Sequence, residues 1–324
     1  MRELSFSLAI NEALHQMMAE DPTVVVIGQG VKSPWYVGNT TQGLLDRFGK
    51  WRVMDTPVSE NAITGAAVGA AIAGLRPVVV HPRMDFMFYA FDPIINQAAN
   101  WSYMNGGKSG VPVVFWGIIN RGGEQAAQHS QALQAMFAHV PGLKVVMPAT
   151  PCDAKGLMVA AIRDPNPVVY IDERWLYGLR ENVPEAIYEV PIGKAFVRKS
   201  GGDVSVVASS FMVKLALEAA ERLDRSGISV EVVDLRTIKP FDLETVLTSV
   251  EKTGRLLVAD GGWRSFGVSA EIIAAVCERM GDRLKANPVR VTLPDIPAPA
   301  CRTLEKAYYP NAEALIDRIR AFTL

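Results

Sequence analysis

The sequence predicts a two-domain α/β protein built on parallel sheets, and three observations predict it. Short β-branched apolar runs alternate with helical stretches along almost the whole chain. Those runs are apolar throughout rather than at every second residue, as strands covered on both faces require. A stretch rich in Pro, Gly and charge breaks the rhythm once, near residues 178–202, before it resumes. With 324 residues, the chain is long enough for two such cores.

Taken in order, "SFSLAINEALHQMMAED" is helical. "TVVVIGQG" is a β-branched run ended by glycines, hence a buried strand. "WRVMDTP" is a second strand, followed by a Gly/Ala helix from Ala62. "RPVVVHP" is a strand and "FDPIINQAANWSYMNGG" a helix closed by glycines. The first unit finishes with "VPVVFWG" (strand), "SQALQAMFAH" (helix), "LKVVMPAT" (strand), "PCDAKGLMVAAIRD" (helix) and "NPVVYIDE" (strand). "GLRENVPEAIYEVPIGKAFVRKSGGD" reads as a linker with one or two edge strands. Alternation returns with "DVSVVASS", "MVKLALEAAERLDRSG", "ISVEVVDL", "LETVLTSVEKTG", "RLLVAD", "VSAEIIAAVCERM" and "NPVRVTL". The expected organisation is two three-layer α/β/α domains over residues 1–185 and 202–324, joined by a linker over 186–201.

Composition narrows the function. Hydrophobic residues make up 49%, charged ones 21%, and the formal net charge is −1, so no electrostatic case exists for nucleic acid or an anionic membrane. The apolar excess suits the extra buried surface of an obligate oligomer. Cys152, Cys277 and Cys301 lie far apart without metal-ligand spacing, which fits a reducing cytoplasm. "MRELSFSLAINE" carries acids where a signal peptide needs apolar residues, and the apolar run Ala66–Leu75 is about half a membrane span. The expectation is a cytoplasmic protein.

One stretch poses a question. In "DTPVSENAITGAAVGAAIAG" a single carboxylate, Glu60, stands before a dozen small and apolar residues. Capping is one answer, with Ser59 as N-cap and an acid favouring the helix dipole. Gly65, Gly69 and Ala73, spaced by four, leave a groove without side chains. That groove suits either tight internal packing or a subunit interface to which Glu60 is delivered.

Of the four histidines, none pair at metal-ligand spacing. His15 reads as a surface residue and His139 as a helix C-terminal residue; His81, before Pro82, is either a core or a site residue. His129 differs. It lies in "QHSQ" after a Gly-rich loop and a strand, at the sheet edge where such folds place ligands. "IGQGVKSP" lacks a third glycine, no Walker loop or GxSxG occurs, and "DGGW" at 260–263 is only a weak anion candidate. An acid and a histidine without a phosphate cradle make half of a site.

These stretches together resemble the β subunit of the thiamine-diphosphate-dependent E1 component of 2-oxo acid dehydrogenases (pyruvate, branched-chain and acetoin). The resemblance runs from about residue 3 to the C-terminus. It is carried by "DTPVSENAITGAAVGAAIAG", "FDPIINQAANWSYMNGG", "AAQHSQALQAMFAHVPGLKVVMPATPCDAKGLMVAAIRDPNPVV", "ISVEVVDLRTIKPFDLETVLTSVEKTGRLLVADGGWRSFGVSAEI" and "VRVTLPDIPAP". It implies a pyrimidine-binding domain, then a transketolase C-terminal-type domain, in an α2β2 heterotetramer with a β–β contact.

By resemblance, Glu60 is the acid that bonds N1′ of the aminopyrimidine and favours the imino tautomer. The exocyclic nitrogen then takes the C2 proton, and the resulting carbanion attacks the 2-oxo carbon. That role needs a poorly solvated carboxyl with a raised pKa. His129 matches the histidine that orients the decarboxylated intermediate or the incoming lipoyl group of an acyltransferase partner. Phe86 aligns with the aromatic that packs on the pyrimidine. Tyr89 stands where a cofactor-side glutamine is common, a departure. Trp116, Ile118 and Ile119 make the loop before His129 bulkier and more apolar. The resemblance also implies a structural potassium ion on carbonyls of Val113, Ala161, Ile162, Asp164 and Asn166. The diphosphate and its magnesium belong to a GDG…N motif on the α subunit; this chain has no GDG, so alone it should be inactive. Half of a split transketolase and a non-catalytic assembly subunit are the alternatives, and retention of Glu60 and His129 argues against the second.

Overall fold

The computed structural model describes residues 2–33 and 35–323, without the Phe322 side chain. Two parallel sheets dominate it. The first runs through β2 (Val24–Gly28), β3 (Val53–Asp55), β4 (Arg76–His81), β5 (Val114–Ile119), β6 (Lys144–Val146) and β7 (Val168–Glu173). Their spatial order is β6-β7-β5-β4-β2-β3, all parallel. The second sheet has the order β14-β13-β10-β11-β9: β14 (Val289–Leu293), β13 (Leu256–Trp263), β10 (Val204–Ala208), β11 (Val230–Asp234) and an antiparallel edge, β9 (Phe196–Lys199). Central strands such as β5, β7 and β10 are buried at every residue, which is why their sequences do not alternate.

Helices cover both faces. α1 (Phe6–Glu20) and α6 (Pro151–Arg163) lie together on one side of the first sheet. α3 (Glu60–Ile72) packs on the other, against a 3₁₀ turn at Met84–Ala90 and a π-helical turn at Asp92–Ala98 that leads into α4 (Ala99–Met104). In the second unit α7 (Phe211–Asp224) and α11 (Ala312–Thr323) cover one face, and α8 (Leu243–Thr253) and α9 (Val268–Met280) the other. One apolar cluster is continuous from Ile63, Phe115 and Phe137 to Val246, Val250 and Ile272, so the two sheets share a dry core. Among the described residues no helix is long and apolar enough to cross a membrane.

Several expectations change. Arg2–Ser5, just ahead of the first helix, is an unexpected strand, β1, paired antiparallel with β8 (Arg180–Val183). A short helix, α2 (Leu44–Phe48), separates β2 from β3. β12 (Thr237–Lys239) comes from the second unit yet adds antiparallel to β6, so the first sheet has seven strands. The helix expected over 130–139 shrinks to α5 (Gln134–His139), because Gln131 N is held by Asp85 Oδ1 at 3.0 Å and Ser130 Oγ by the Ala126 carbonyl. Trp116, Ile118 and Ile119 are not in the loop before His129. They are buried in β5, where Trp116 Nε1 donates to Asp172 at 3.3 Å. A final helix pair, α10 (Arg302–Tyr308) and α11, completes the chain.

Candidate active site

The chain leaves β2 toward β3 on one side and returns to β4 on the other, so connectivity reverses between β2 and β4. Open sheets of this kind bind ligands beyond the carboxyl ends of their strands at such a reversal. A cavity of about 480 Å³ opens there, lined by Gln29 after β2, Glu60 after β3, and His81, Pro82 and Arg83 at and after β4. Gly28 makes the close approach of the two strands possible, since a Cβ there would meet the Val80 carbonyl at 2.5 Å. Phe86, Tyr89 and His129 also line the cavity.

Glu60 is the first residue of α3, half-buried at the cavity lip. Ser59 occupies the N-cap position but makes no side-chain cap bond; its φ of −164° and ψ of 66° lie outside the usual cap geometry. Ser59 therefore does not cap the helix, and Glu60 in its first turn keeps only the favourable position at the helix dipole. Glu60 makes no ion pair or side-chain hydrogen bond among the described residues. Its carboxylate is unspent.

Behind it, His81 is 1% exposed, with Nε2 at 3.3 Å from Thr64 Oγ1 on α3. Burial pulls its pKa down to about 4, so the ring is neutral and ties the Glu60 helix to β4. The question left open by the sequence is answered on both counts: His81 is a core residue and a cavity wall.

His129 comes to the same cavity from a different direction. Its ring meets Phe86 edge to face, with centroids 5.4 Å apart and planes at 86°. The loop that delivers it winds through left-handed backbone at Gly122, Gly123, Glu124 and Ala126, and is braced by the second unit. Glu124 Oε1 accepts from Arg302 at 2.9 Å, and Arg121 pairs with Glu173 at 3.3 Å while reaching the Gly261 carbonyl. Asp85, next to Phe86, is buried, holds the Gln131 amide and has its pKa raised by desolvation.

Tyr89 is 70% exposed and contributes its backbone carbonyl, at 3.0 Å, to Asn61 Nδ2. Beside it the outer stripe of α3 is open: Ala62, Ala66, Gly69 and Ala73 are exposed, and a Cβ on Gly65 or Gly69 would touch nothing. Internal packing does not account for that groove.

The five candidate potassium ligands come together at the end of α6. Ala161 and Ile162 form its last turn, Asp164 and Asn166 follow, and the Val113 carbonyl accepts from Val168 N at 3.0 Å. Arg76 Nη1 already donates to the carbonyls of Ile162 and Asp164, at 2.8 and 3.3 Å. "DGGW" is no anion cradle, because Asp260 itself takes the amides of Gly262 and Ser269 at 2.9 and 3.1 Å. Among the described residues no cluster of His, Cys, Asp or Glu could hold a metal ion.

Sequence reading missed Gln29, Tyr36, Asp85 and Arg83. Arg83 was within reach of the rule that singled out His129, since it too follows the carboxyl end of a central strand.

Comparison with known proteins places the two domains. The model of the transketolase pyrimidine-binding domain matches residues 2–178, and that of the transketolase C-terminal domain residues 193–315. The β subunit of acetoin:2,6-dichlorophenolindophenol oxidoreductase from Cupriavidus necator is 46% identical, covering 98% of this chain and 97% of its own. The pyruvate dehydrogenase E1 component subunit beta of Rickettsia felis is 44% identical over 96% of each chain. A solved structure described as a split-gene transketolase, inactive beta4 tetramer, superposes with a TM-score of 0.80 at 23% identity, covering 98% and 97%, and shares the fold. The chain belongs to the transketolase-like family of E1-component β subunits, as its two domains foreshadowed.

Proposed function

We propose that this chain is the β half of a thiamine-diphosphate-dependent enzyme that decarboxylates a 2-oxo acid and passes the acyl group to a lipoyl arm, working as α2β2 with an α subunit. One observation carries the reading: Glu60 presents an unpaired carboxylate to a cavity that also holds Phe86 and His129, at the edge of a helix face left uncovered.

The cavity's residues fit the aminopyrimidine end of the cofactor. Phe86 offers a flat apolar face, Ile63, Val80 and Val58 exclude water, and Glu60 is free for a ring nitrogen. When bound, thiamine diphosphate supplies the carbon nucleophile and the electron sink for decarboxylation. Glu60 holds a proton against that ring nitrogen and moves it during activation of the cofactor. The exposed stripe of α3 is the surface where another subunit closes the cavity and completes Glu60's dry surroundings. His129, its ring fixed edge-on by Phe86, donates to or orients the oxygen of the reacting carbonyl. The wall at Tyr89 borders the cofactor from the solvent side.

Magnesium and the diphosphate fall to the α subunit on this reading. A potassium ion at the Asp164 loop would share the Ile162 and Asp164 carbonyls with Arg76, each oxygen having two lone pairs, and its role would be structural. This reading keeps the division into 1–185, a linker over 186–201 and 202–324, with β9 of the linker on the second sheet and β12 on the first.

The test is reconstitution with an α subunit, thiamine diphosphate and magnesium. Turnover of 2-oxo acids with a lipoyl domain or an artificial electron acceptor supports the reading. Turnover of ketose phosphates alone overturns it in favour of a split transketolase.

A further inference from the structure

Arg83 lies two residues past the end of β4, half-buried in the wall of the cavity that holds Glu60 and His129. Its Nη1 donates to the Pro82 carbonyl at 2.9 Å. The Asn120 amide, its oxygen turned inward, accepts from Nε and Nη2 at 3.1 and 3.2 Å. Both partners are neutral. Some guanidiniums withdrawn from solvent are paired with acids: Arg121 with Glu173 at 3.3 Å, Arg198 with Asp234 at 2.8 Å, Arg236 with Asp153 at 3.4 Å. Arg52 and Arg174, like Arg83, donate to backbone carbonyls instead, and of these three only Arg83 lines the cavity. Among the described residues Arg83 has no carboxylate in ion-pair contact. Asp85 acts on it only from farther away, and the charge of Arg174 adds to its own.

A guanidinium carries five N–H donors; three are engaged here, leaving one on each terminal nitrogen. The Tyr36 hydroxyl, which accepts from Gln29 Nε2 at 3.1 Å, keeps its own proton to donate and lines the same cavity. These two side chains bring donors and a positive charge to a cavity in which Glu60 is the one acid among the lining residues.

We propose that Arg83 and Tyr36 form an anion subsite, and that the 2-oxo acid carries a second anionic group, a carboxylate or a phosphate, at the end remote from its reacting carbonyl. This rests on the E1-type reading of the cavity. The group bound is not the carboxylate that departs. A cation held on that carboxylate stabilises the ground state more than the transition state, in which the charge is leaving, and so slows the step. On a group that keeps its charge, the contact orients the substrate without that penalty. The planar fork matches a carboxylate or phosphate with two parallel bonds. A neutral-tailed donor leaves the cation unpaired in the cavity, which is the source of discrimination.

The test compares 2-oxoglutarate and 2-oxo-4-phosphonobutanoate with the neutral 2-oxovalerate on the reconstituted holoenzyme, reading kcat/KM with an artificial electron acceptor and Kd by calorimetry. The wild type should favour one of the anionic donors over 2-oxovalerate by about tenfold or more, and Arg83→Met should bring the ratio to about threefold or less, with Arg83→Lys in between. Whichever anion wins tells carboxylate from phosphate. The ratio cancels any loss of folded enzyme. A wild type that prefers 2-oxovalerate, or an unchanged ratio in Arg83→Met, overturns the subsite. If no donor is turned over, the E1-type reading fails by itself, and the Kd ratios decide: anions binding no tighter than 2-oxovalerate to the wild type overturn the subsite, and tighter binding lost in Arg83→Met sustains it.

Discussion

The two sheets of this chain end alike and are used differently. At the carboxyl edge of the first, Glu60 and His129 make no ion pairs among the described residues and face a cavity of about 480 Å³. At the matching edge of the second, the carboxylates are engaged from within. Asp260 takes Gln134 Nε2 at 3.0 Å and the amides of Gly262 and Ser269, Asp234 is paired with Arg198, and only about 10 Å³ remains beside them. Shared topology offers both edges to ligands. What separates a site from a joint here is whether its carboxylates have been satisfied from within.

The sharpest test of that contrast removes the partner. The chain alone, with cofactor and magnesium supplied, should give no turnover, and addition of the α subunit should restore it; full activity of the isolated chain would place the missing cofactor ligands here.

Next comes the open stripe of α3. Gly69→Leu has room in the single chain, because a Cβ there meets nothing within 4 Å. It should melt no lower than the wild type as a lone subunit, yet fail to assemble by size-exclusion chromatography. Normal assembly would show that α3 faces solvent in the complex.

At the second edge the effect should fall on stability. Asp260→Ala strands three buried donors and should cost about 2–4 kcal/mol in urea unfolding. A variant as stable as wild type but catalytically dead would reverse the roles of the two edges.

The smallest effect is on pH. His81 titrates near 6.5 when unfolded and at about 4 when folded, so the unfolded chain binds more protons between those values. Its contribution is complete above pH 6.5 and is lost as pH falls toward 4, about 2 kcal/mol by pH 5. The difference in unfolding free energy between wild type and His81→Gln should shrink by that amount from pH 7 to pH 5. A constant difference would mean that the ring titrates alike in the folded and unfolded chain.

Much of this was legible in the sequence because burial on two faces writes itself as unbroken apolar runs. β2, β4, β5, β7, β10 and β11 could be read that way. β1 could not: Arg-Glu-Leu-Ser has no pattern, and it is a strand only because β8 pairs with it from 180 residues along. β12 is likewise created by a long-range partner, β6. Glu60 stood out by contrast with its apolar helix, and His129 by its place after a strand. Arg83 did not, because an arginine beside Pro82 looks like solvated surface until the fold closes Asn120 and Phe86 around it. Ser59 misled in the opposite way, since cap chemistry in the sequence did not become a cap bond.

The most direct measurement follows the hydrogen at C2 of the bound cofactor in the assembled enzyme, exchanging with deuterium and read by NMR. If Glu60 moves the activating proton, Glu60→Gln should slow that exchange by about a hundredfold or more while cofactor binding and assembly persist. Exchange at the wild-type rate in Glu60→Gln would contradict it.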